Sequence, residues 1–396
     1  MKSLTLRTVP ALLLAIFSGT ASAAAFQLWE QNASGLGTAY AGSAAIADNA
    51  STVFFNPAGL TQLPGIHLSA GMTGVGPSYK FKNSSSSGDP LAGGGNGGDA
   101  GSWAVVPNLY ASWQLSPKLF LGLGISAPFG LATEYENSNW IGRVQSIKSE
   151  IKTVNYNPSI AYRLNDKVSL GFGVNYQTID AELTRLNSQL KGDDRAWGWN
   201  AGALFTLSPA MRVGISYRSA IDYRLEGTGN GVLPIRADVK LPDTFILSVW
   251  QQVSDRWEAM GDLSYTRWNT LQSLNVTNRN SGALLDSEAF NYGNSWRLAW
   301  GAAYKSSDAL KLKFGLAYDR SPVSDANRTA RVPDNDRLWL SLGSQWSAGK
   351  TGKVDLGYAY LYVKETSIEQ SKNSSILRGA YDSSAHILGL QYSAGF

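Results

Sequence analysis

The chain has 396 residues, no cysteine and a formal net charge of +4. Only 16% of its residues are charged, against about 25% in soluble domains, and the mean hydropathy is −0.16. Beyond the N-terminus no apolar run reaches the ~18 residues that a membrane-spanning helix needs, which excludes a helical membrane protein. The small net charge argues against a nucleic-acid partner, and without cysteine no disulfide holds the fold.

The N-terminus has the pattern of an export signal. Lys2 and Arg7 precede an apolar run at residues 11–17, and residues 21–23 read Ala-Ser-Ala, a small-residue cleavage site. The apolar run is too short to span a membrane. We therefore expect residues 1–23 to be a signal peptide that is removed on export.

The next segment, residues 24–64, shows no alternation of apolar and polar residues. Residues 44–48 could form one short helix, and Asn56-Pro57-Ala58 must form a turn, because proline fixes φ and offers no N–H. A disordered tail would contain few apolar residues, whereas this segment is rich in them. We expect an N-terminal plug, or hatch, inside the lumen of the following domain; a disordered tail is the alternative.

Residues 65–396 contain six short polar turns at near-equal spacing. They lie at residues 115–118, 164–167, 207–210, 253–256, 306–309 and 349–352. The stretch between consecutive turns holds two spanning strands and a longer loop. Six turns on one rim give twelve strands, and one more at each end makes about fourteen, an even number as closure requires. The sequence predicts an all-β fold, a transmembrane antiparallel β-barrel.

The strands alternate with a period of two. Val168, Leu170 and Phe172 share one face, and Ser169 and Gly171 share the other. A soluble barrel also alternates, with its apolar face inward, so this pattern alone leaves both classes open. Two expected girdles of tryptophan favour the membrane. One comprises Trp113, Trp250, Trp257 and Trp346 near the turns, and the other comprises Trp103, Trp140, Trp197, Trp199, Trp268 and Trp339.

The C-terminal strand ends on Phe396, which falls on the apolar face of that strand. A final strand with an aromatic end is the form associated with outer-membrane assembly. We expect the barrel-assembly machinery to recognise this strand, and outer-membrane lipid to surround the barrel. The expected location is the outer membrane of a Gram-negative bacterium.

Several segments together resemble the FadL/TodX family of outer-membrane transporters of long-chain fatty acids and other hydrophobic compounds. The resembling residues are 25–28, 34–37, 39–40, 47–50, Asn56-Pro57-Ala58, 130–135, 241–242, 321–323 and 332–341. The resemblance keeps its order over nearly the whole mature chain. It is specific for the family and only weakly specific for the substrate.

The resemblance implies a fourteen-stranded barrel with a hatch, and a lateral exit for ligand at an inward kink in the third strand. The kink is expected at Pro128, Phe129 and Gly130, because Pro128 removes a ladder donor and Gly130 tolerates unusual backbone angles. By resemblance, the Asn-Pro-Ala turn at 56–58 supports this kink. The alternative for Pro128 is an ordinary bulge near a strand end.

The resemblance also implies a ligand pocket that Phe26 enters, with Arg185 holding a fatty-acid carboxylate. The alternation of the fifth strand independently places Arg185 on the lumen face, and its guanidinium matches a carboxylate. The alternative is an Arg185 paired with Glu182 or Asp180. A second basic residue that the family has near residues 287–288 is missing here, where the sequence is acidic.

These features predict outer-membrane uptake of hydrophobic small molecules by passive diffusion, with long-chain fatty acids as the first candidates. Aromatic hydrocarbons taken up by the same route are one alternative, and a general diffusion porin is another. We expect no enzyme activity, cofactor or metal, because the two histidines, His67 and His386, have no evident catalytic or metal-ligand partners.

Overall fold

The computed structural model describes residues 25–88, 94–349, 351–372 and 374–396. The predicted signal peptide at residues 1–23 lies outside them. Within the described residues the strands are β1 (Ile66–Asn83), β2 (Ala104–Gln114), β3 (Leu119–Ser126), β4 (Gly130–Glu134), β5 (Lys148–Arg163), β6 (Val168–Arg185), β7 (Ser188–Ser208), β8 (Met211–Arg218), β9 (Ile221–Gly229), β10 (Leu233–Leu241), β11 (Thr244–Gln252), β12 (Trp257–Thr266), β13 (Ser273–Asn278), β14 (Leu284–Ala289), β15 (Ser295–Lys305), β16 (Leu310–Asp319), β17 (Arg337–Ala348), β18 (Gly352–Val363), β19 (Thr366–Lys372) and β20 (Ser375–Gly395).

Short helices occur mainly in the N-terminal segment. The helices are α1 (Thr52–Phe55) and 3-10 turns at Leu36–Thr38, Pro57–Gln62, Trp268–Thr270 and Asp325–Asn327. In the described part of the chain, no helix has the length and apolar character to cross a membrane.

The strands form a closed antiparallel barrel of fourteen strands, as predicted. Closure comes from β1 and β20, which pair from His67↔Gly395 to Asn83↔Gly379. Six of the fourteen strands are interrupted and are built from two segments each, in the pairs β3/β4, β8/β9, β10/β11, β12/β13, β14/β15 and β18/β19.

All six predicted turns join neighbouring strands at one rim. They connect β2 to β3, β5 to β6, β7 to β8, β11 to β12, β15 to β16 and β17 to β18. The predicted locations are correct because short polar stretches with Pro, Asn, Asp and Gly disfavour continued strand pairing.

The apolar face of the strands is the outer one, which distinguishes this barrel from a soluble one. Leu170 and Phe172 are each 46% exposed on the outside, whereas Ser169 and Gln177 on the other face are buried. The same holds at Leu342, which is 56% exposed. An apolar outer surface of this extent requires hydrocarbon around it.

The tryptophan girdles are only partly as expected. Trp103, Trp113, Trp197, Trp199, Trp257 and Trp346 are exposed on the outer surface, but Trp140, Trp250, Trp268 and Trp339 are buried. The prediction was wrong for these four for two reasons: Trp250 and Trp339 point inward from their strands, and Trp140 and Trp268 lie in connections between strands. Leu338 and Leu340 face outward, so Trp339 between them points inward.

The N-terminal segment, residues 25–64, lies against inward-facing side chains from strands all round the barrel. Arg297 Nη2 donates to the carbonyl oxygen of Ala39 at 2.8 Å, and Lys313 Nζ donates to that of Ser34 at 2.8 Å. Further polar contacts to its backbone come from Tyr110 in β2, Arg218 in β8, Ser248 in β11 and Gln391 in β20.

At one close approach between the segment and the wall, both sides have glycine. A Cβ built on Gly343 of β17 would lie 2.8 Å from the Cα of Gly37. Residues 44–48 do not form the expected helix; instead α1 begins at Thr52, and Ala47 has a φ of 47°. A left-handed residue there ends any helix.

Candidate functional site

The third strand is interrupted at the predicted place. β3 ends at Ser126, which is opposite Asn155 of β5, and β4 resumes at Gly130, opposite Lys152. Three residues of the third strand therefore face two of β5, which is a β-bulge. Thr153 stabilises it, because its hydroxyl lies 3.0 Å from the backbone nitrogen of Phe129 and 2.7 Å from its carbonyl oxygen.

On the side of β2 the wall is not closed above the bulge. The ladder between β2 and β3 ends at the pair Leu109↔Ile125. Among the described residues, positions 104–108 of β2 have no ladder partner in β4. The next backbone bond joins Glu134 to Ala100 at 2.9 Å. These five residues pair with β1 on their other side, and without partners on this side they correspond to a gap about 17 Å long. Around Pro128 the third strand therefore has a bulge toward β5 and a break in its ladder toward β2.

The N-terminal segment occupies the free backbone of this break from inside. Leu28 donates to the carbonyl oxygen of Pro128 at 2.8 Å, and Gly130 donates to that of Phe26 at 2.9 Å. Gln31 Nε2 donates to the carbonyl oxygen of Ala127 at 2.8 Å. The kink is thus satisfied by hydrogen bonds from the lumen, which lowers the cost of leaving the strand edge unpaired.

The Asn-Pro-Ala turn does not make the contact with the kink that we expected. Asn56 Nδ2 donates to the carbonyl oxygens of Ala44 at 2.8 Å and Ala203 of β7 at 3.0 Å. A Cβ on Gly171 of β6 would meet the Ala58 nitrogen at 2.2 Å. In the described residues the turn is packed on β6 and β7, and residues 26–31 contact the kink instead.

Phe26 lies in an aromatic cluster beside the kink. Its ring centroid is 4.7 Å from that of Trp268 and 6.3 Å from that of Phe129. All three are buried. The edge-to-face geometry of these pairs is favourable by about 0.5–1.5 kcal/mol each beyond the area buried. Phe26 therefore packs directly against Phe129 of the kink.

Above Phe26 an apolar column extends to the rim opposite the six turns. It comprises buried residues of β6, β9, β10 and β13 together with the loops that cover them. Its members include Ile179, Ile221, Tyr223, Leu225, Ile235, Val239, Trp268, Leu271, Val276, Phe290 and Tyr292. Near the rim the column encloses a cavity of about 40 Å³ lined by Leu183, Leu190 and Val276.

Arg185, the last residue of β6, lies at the charged end of this column. Its Nε is 3.5 Å from Oδ2 of Asp286 in β14. The expected alternative partners are wrong, since Glu182 pairs with Lys148 and Lys191 at 3.3 Å each. The strand alternation turns Glu182 outward and Arg185 inward.

Four further charges complete an inner cluster, defined here as Arg185, Asp286, Glu288, Arg331 and Lys372. Lys372 Nζ lies 2.5 Å from Glu288 Oε2 and 3.2 Å from Asp286 Oδ1. Arg331 Nε lies 3.7 Å from Glu288 Oε2. The family's basic residue at 287–288 is missing here, but Arg331 from a loop and Lys372 from β19 supply positive charge at the same place.

Sequence reasoning did not identify Trp268, Asp286, Arg331 or Lys372 as neighbours of the site. They lie 83 or more positions from Arg185 or on strands that only closure of the barrel brings near. The acidic character of residues 286 and 288 was a usable signal, since buried carboxylates require cations close by.

Comparison with known proteins relates the whole chain to one group. The family model described as outer membrane protein transport protein (OMPP1/FadL/TodX) matches residues 14–396. Outer membrane protein P1 of Haemophilus influenzae strain Rd is 34% identical over 91% of this chain and 90% of its own length. The long-chain fatty acid transport protein of Escherichia coli K12 is 29% identical over 93% of this chain and 94% of its own.

Solved structures agree on the fold. A Pseudomonas aeruginosa FadL homologue has a TM-score of 0.88 at 23% identity, covering 94% of this chain and all of its own. The toluene transporter TodX of Pseudomonas putida has a TM-score of 0.69 at 18% identity, covering 94% of this chain and all of its own. At these identities the likeness establishes the barrel architecture.

Proposed function

Because the chain belongs to the OMPP1/FadL/TodX family of Gram-negative outer-membrane proteins that take up hydrophobic substrates, we propose that it carries long-chain fatty acids inward by passive diffusion. Ligand enters at the rim, passes along the apolar column to Phe26, and leaves sideways through the gap between β2 and β4. The bound state completes the charge balance at Arg185.

The observation that carries this proposal is the continuity of the apolar column with the break in the wall. Phe26 and Phe129 belong to the column and to the kink at once. An apolar molecule that reaches them has left water behind and lies next to membrane hydrocarbon. Movement into that hydrocarbon loses no hydrophobic stabilisation, so it needs no energy source.

A carboxylate head group is favoured by the sign of the inner cluster, in which three cations face two carboxylates. Arg185 has the least complete set of partners of the three cations. A fatty-acid carboxylate would neutralise the remaining charge. Aromatic hydrocarbons are the second candidate, because the cluster of Phe26, Phe129 and Trp268 offers edge and face contacts that need no charge.

A general porin is the less favoured function. Residues 25–64 contact strands on all sides of the lumen, and we propose that they act as a plug. Their tight packing against wall glycines supports a plug that stays in place while ligand moves sideways. We also propose that residues 1–23 are cleaved on export and that the strand ending at Phe396 is read during barrel assembly. In this proposal the protein has no enzymatic step, because the named activities of its relatives are transport.

The test is identification of the molecules that copurify with the protein, followed by binding of one fatty acid to Arg185→Ala. The lost charge-assisted contact is worth about 1.5–3 kcal/mol, so the dissociation constant should rise about 10- to 150-fold. Arg224→Ala, at an exposed outward-facing arginine paired with Asp238, is the matched control. Fatty acid bound by Arg185→Ala as tightly as by the parent protein would remove Arg185 from the site.

A further inference from the structure

The inner cluster contains carboxylates of its own beside the cation that would bind a ligand. The side chain of Arg185 is 21% exposed and that of Asp286 is 12% exposed. Asp286 lies opposite Val276 in the β13–β14 ladder, and Val276 lines the cavity of the apolar column. Asp286 therefore lies beside both Arg185 and the cavity, next to the polar head group of a molecule that would bind there.

Two of the three cations have partners that leave them little freedom. Arg331 Nη1 donates to Ser149 Oγ at 3.0 Å and to the Lys148 carbonyl oxygen at 3.2 Å, and its Nε faces Glu288. Lys372 is held by both carboxylates. Arg185 has one ion pair, from Nε to Asp286 Oδ2 at 3.5 Å, and its buried Nε makes no hydrogen bond to the described residues. Arg185 is therefore the cation left for a ligand.

Asp286 is fixed in its place. Its Oδ1 accepts from the backbone nitrogen of Ser287 at 2.9 Å and pairs with Lys372 at 3.2 Å, while its Oδ2 faces Arg185. An incoming carboxylate would share the guanidinium of Arg185 with a carboxylate that cannot swing away. Two like charges at one guanidinium repel each other in a poorly hydrated site.

From this arrangement we propose that Asp286 is a specificity-determining residue that weakens binding of carboxylates relative to uncharged molecules of the same chain length. An ester or alcohol head group incurs no repulsion from Asp286. The preferred substrates then include neutral long-chain compounds as well as fatty acids. This inference rests on the proposed function, because it assumes that ligands reach Arg185 through the apolar column.

The experiment compares dodecanoic acid with its methyl ester on the purified full-length barrel and on Asp286→Asn. Loss of the repulsion should tighten binding of the acid about tenfold, equivalent to about 1.4 kcal/mol, and leave the ester within about twofold. Asp382→Asn removes one negative charge at an exposed position of β20, where Asp382 pairs with Lys82 and with no member of the cluster among the described residues, and should change neither value. Asp286→Glu keeps the charge and should keep the ratio of the parent protein.

Two outcomes overturn the inference while the proposed function stands. These are acid binding that is unchanged in Asp286→Asn, and acid binding that becomes weaker while the ester still binds. If Asp286→Asn does not fold, Asp286→Ser carries the same expectation and the same two contrary results. Failure of both ligands to bind the parent protein would instead contradict the proposed function.

Discussion

Glu30 is a carboxylate of the N-terminal segment that is fully buried in the lumen. Burial raises the pKa of Glu30 from 4.5 to about 7, although backbone amides and the positive charges of Arg337 and Arg297 favour the ionised form. An acid whose pKa is higher in the folded state than in the unfolded chain destabilises the folded state once the pH rises above the unfolded-chain pKa. The loss develops between pH 4.5 and about 7 and amounts to about 3 kcal/mol at most.

We expect hydrogen exchange of the amides at residues 26–31, corrected for the intrinsic rate, to be slower at pH 5 than at pH 8. Glu30→Gln removes the ionisation and should give equal protection at both values. Glu369→Gln, at an exposed glutamate paired with Arg378, should behave like the parent protein. Equal pH dependence in Glu30→Gln and the parent protein would show that another group controls this segment.

At the same scale, the sequence predicts that the side chain of Arg185 points into the barrel, but it does not predict which residues pair with it. Alternation along one strand fixes which face a side chain occupies. The partners Asp286 and Lys372 come from β14 and β19, and their proximity depends on the extensions of several strands beyond the membrane. No local pattern specifies that arrangement.

At the scale of elements, the 3-10 turn Leu36–Thr38 is held to the wall by backbone contact. A Cβ at Gly343 would also lie 3.0 Å from the carbonyl oxygen of Leu356, so there is no room on either side. Gly343→Val should displace the turn at a cost of about 1–3 kcal/mol. The expected result is a larger ion conductance in planar bilayers, because a displaced segment opens part of the lumen.

Gly261→Val is the control for that variant. Gly261 belongs to the wall strand β12, and its nearest neighbour is a carbonyl oxygen 4.0 Å away, so valine fits without displacement. We expect parental conductance from this control. Parental conductance from Gly343→Val as well would mean that the turn does not block the lumen.

The turns and the strand break were predictable as elements, and the interior of the N-terminal segment was not. Pro128 lacks a backbone N–H to donate and Gly130 tolerates unusual backbone angles, so the sequence locates the break. The segment at residues 25–64 has no repeating pattern, and its conformation follows from the wall around it. Ala39 and Ala47 have a left-handed φ. The sequence does not predict it, because alanine normally favours a right-handed helix.

At the scale of the whole molecule, the function that we propose would give an apolar ligand a choice of two routes out of the column. One runs sideways between β2 and β4 into the membrane, and the other runs down the lumen past residues 25–64. The second is lined by polar and charged side chains such as Arg297, Lys313 and Asp355. Apolar surface that enters such a passage gains little over water, so we propose the gap as the exit.

The most direct measurement is photo-crosslinking with a fatty acid that carries a diazirine at the end of its chain. The protein is reconstituted in lipid vesicles, and adducts that excess unlabelled fatty acid suppresses are mapped by mass spectrometry. We predict such adducts at Leu225 and Leu271 in the column, at Phe129, and at residues 104–108 beside the gap. Ile46 and Met260 line a separate cavity on the side of the six turns. Suppressible adducts at these two residues, together with none at the gap, would contradict the lateral route.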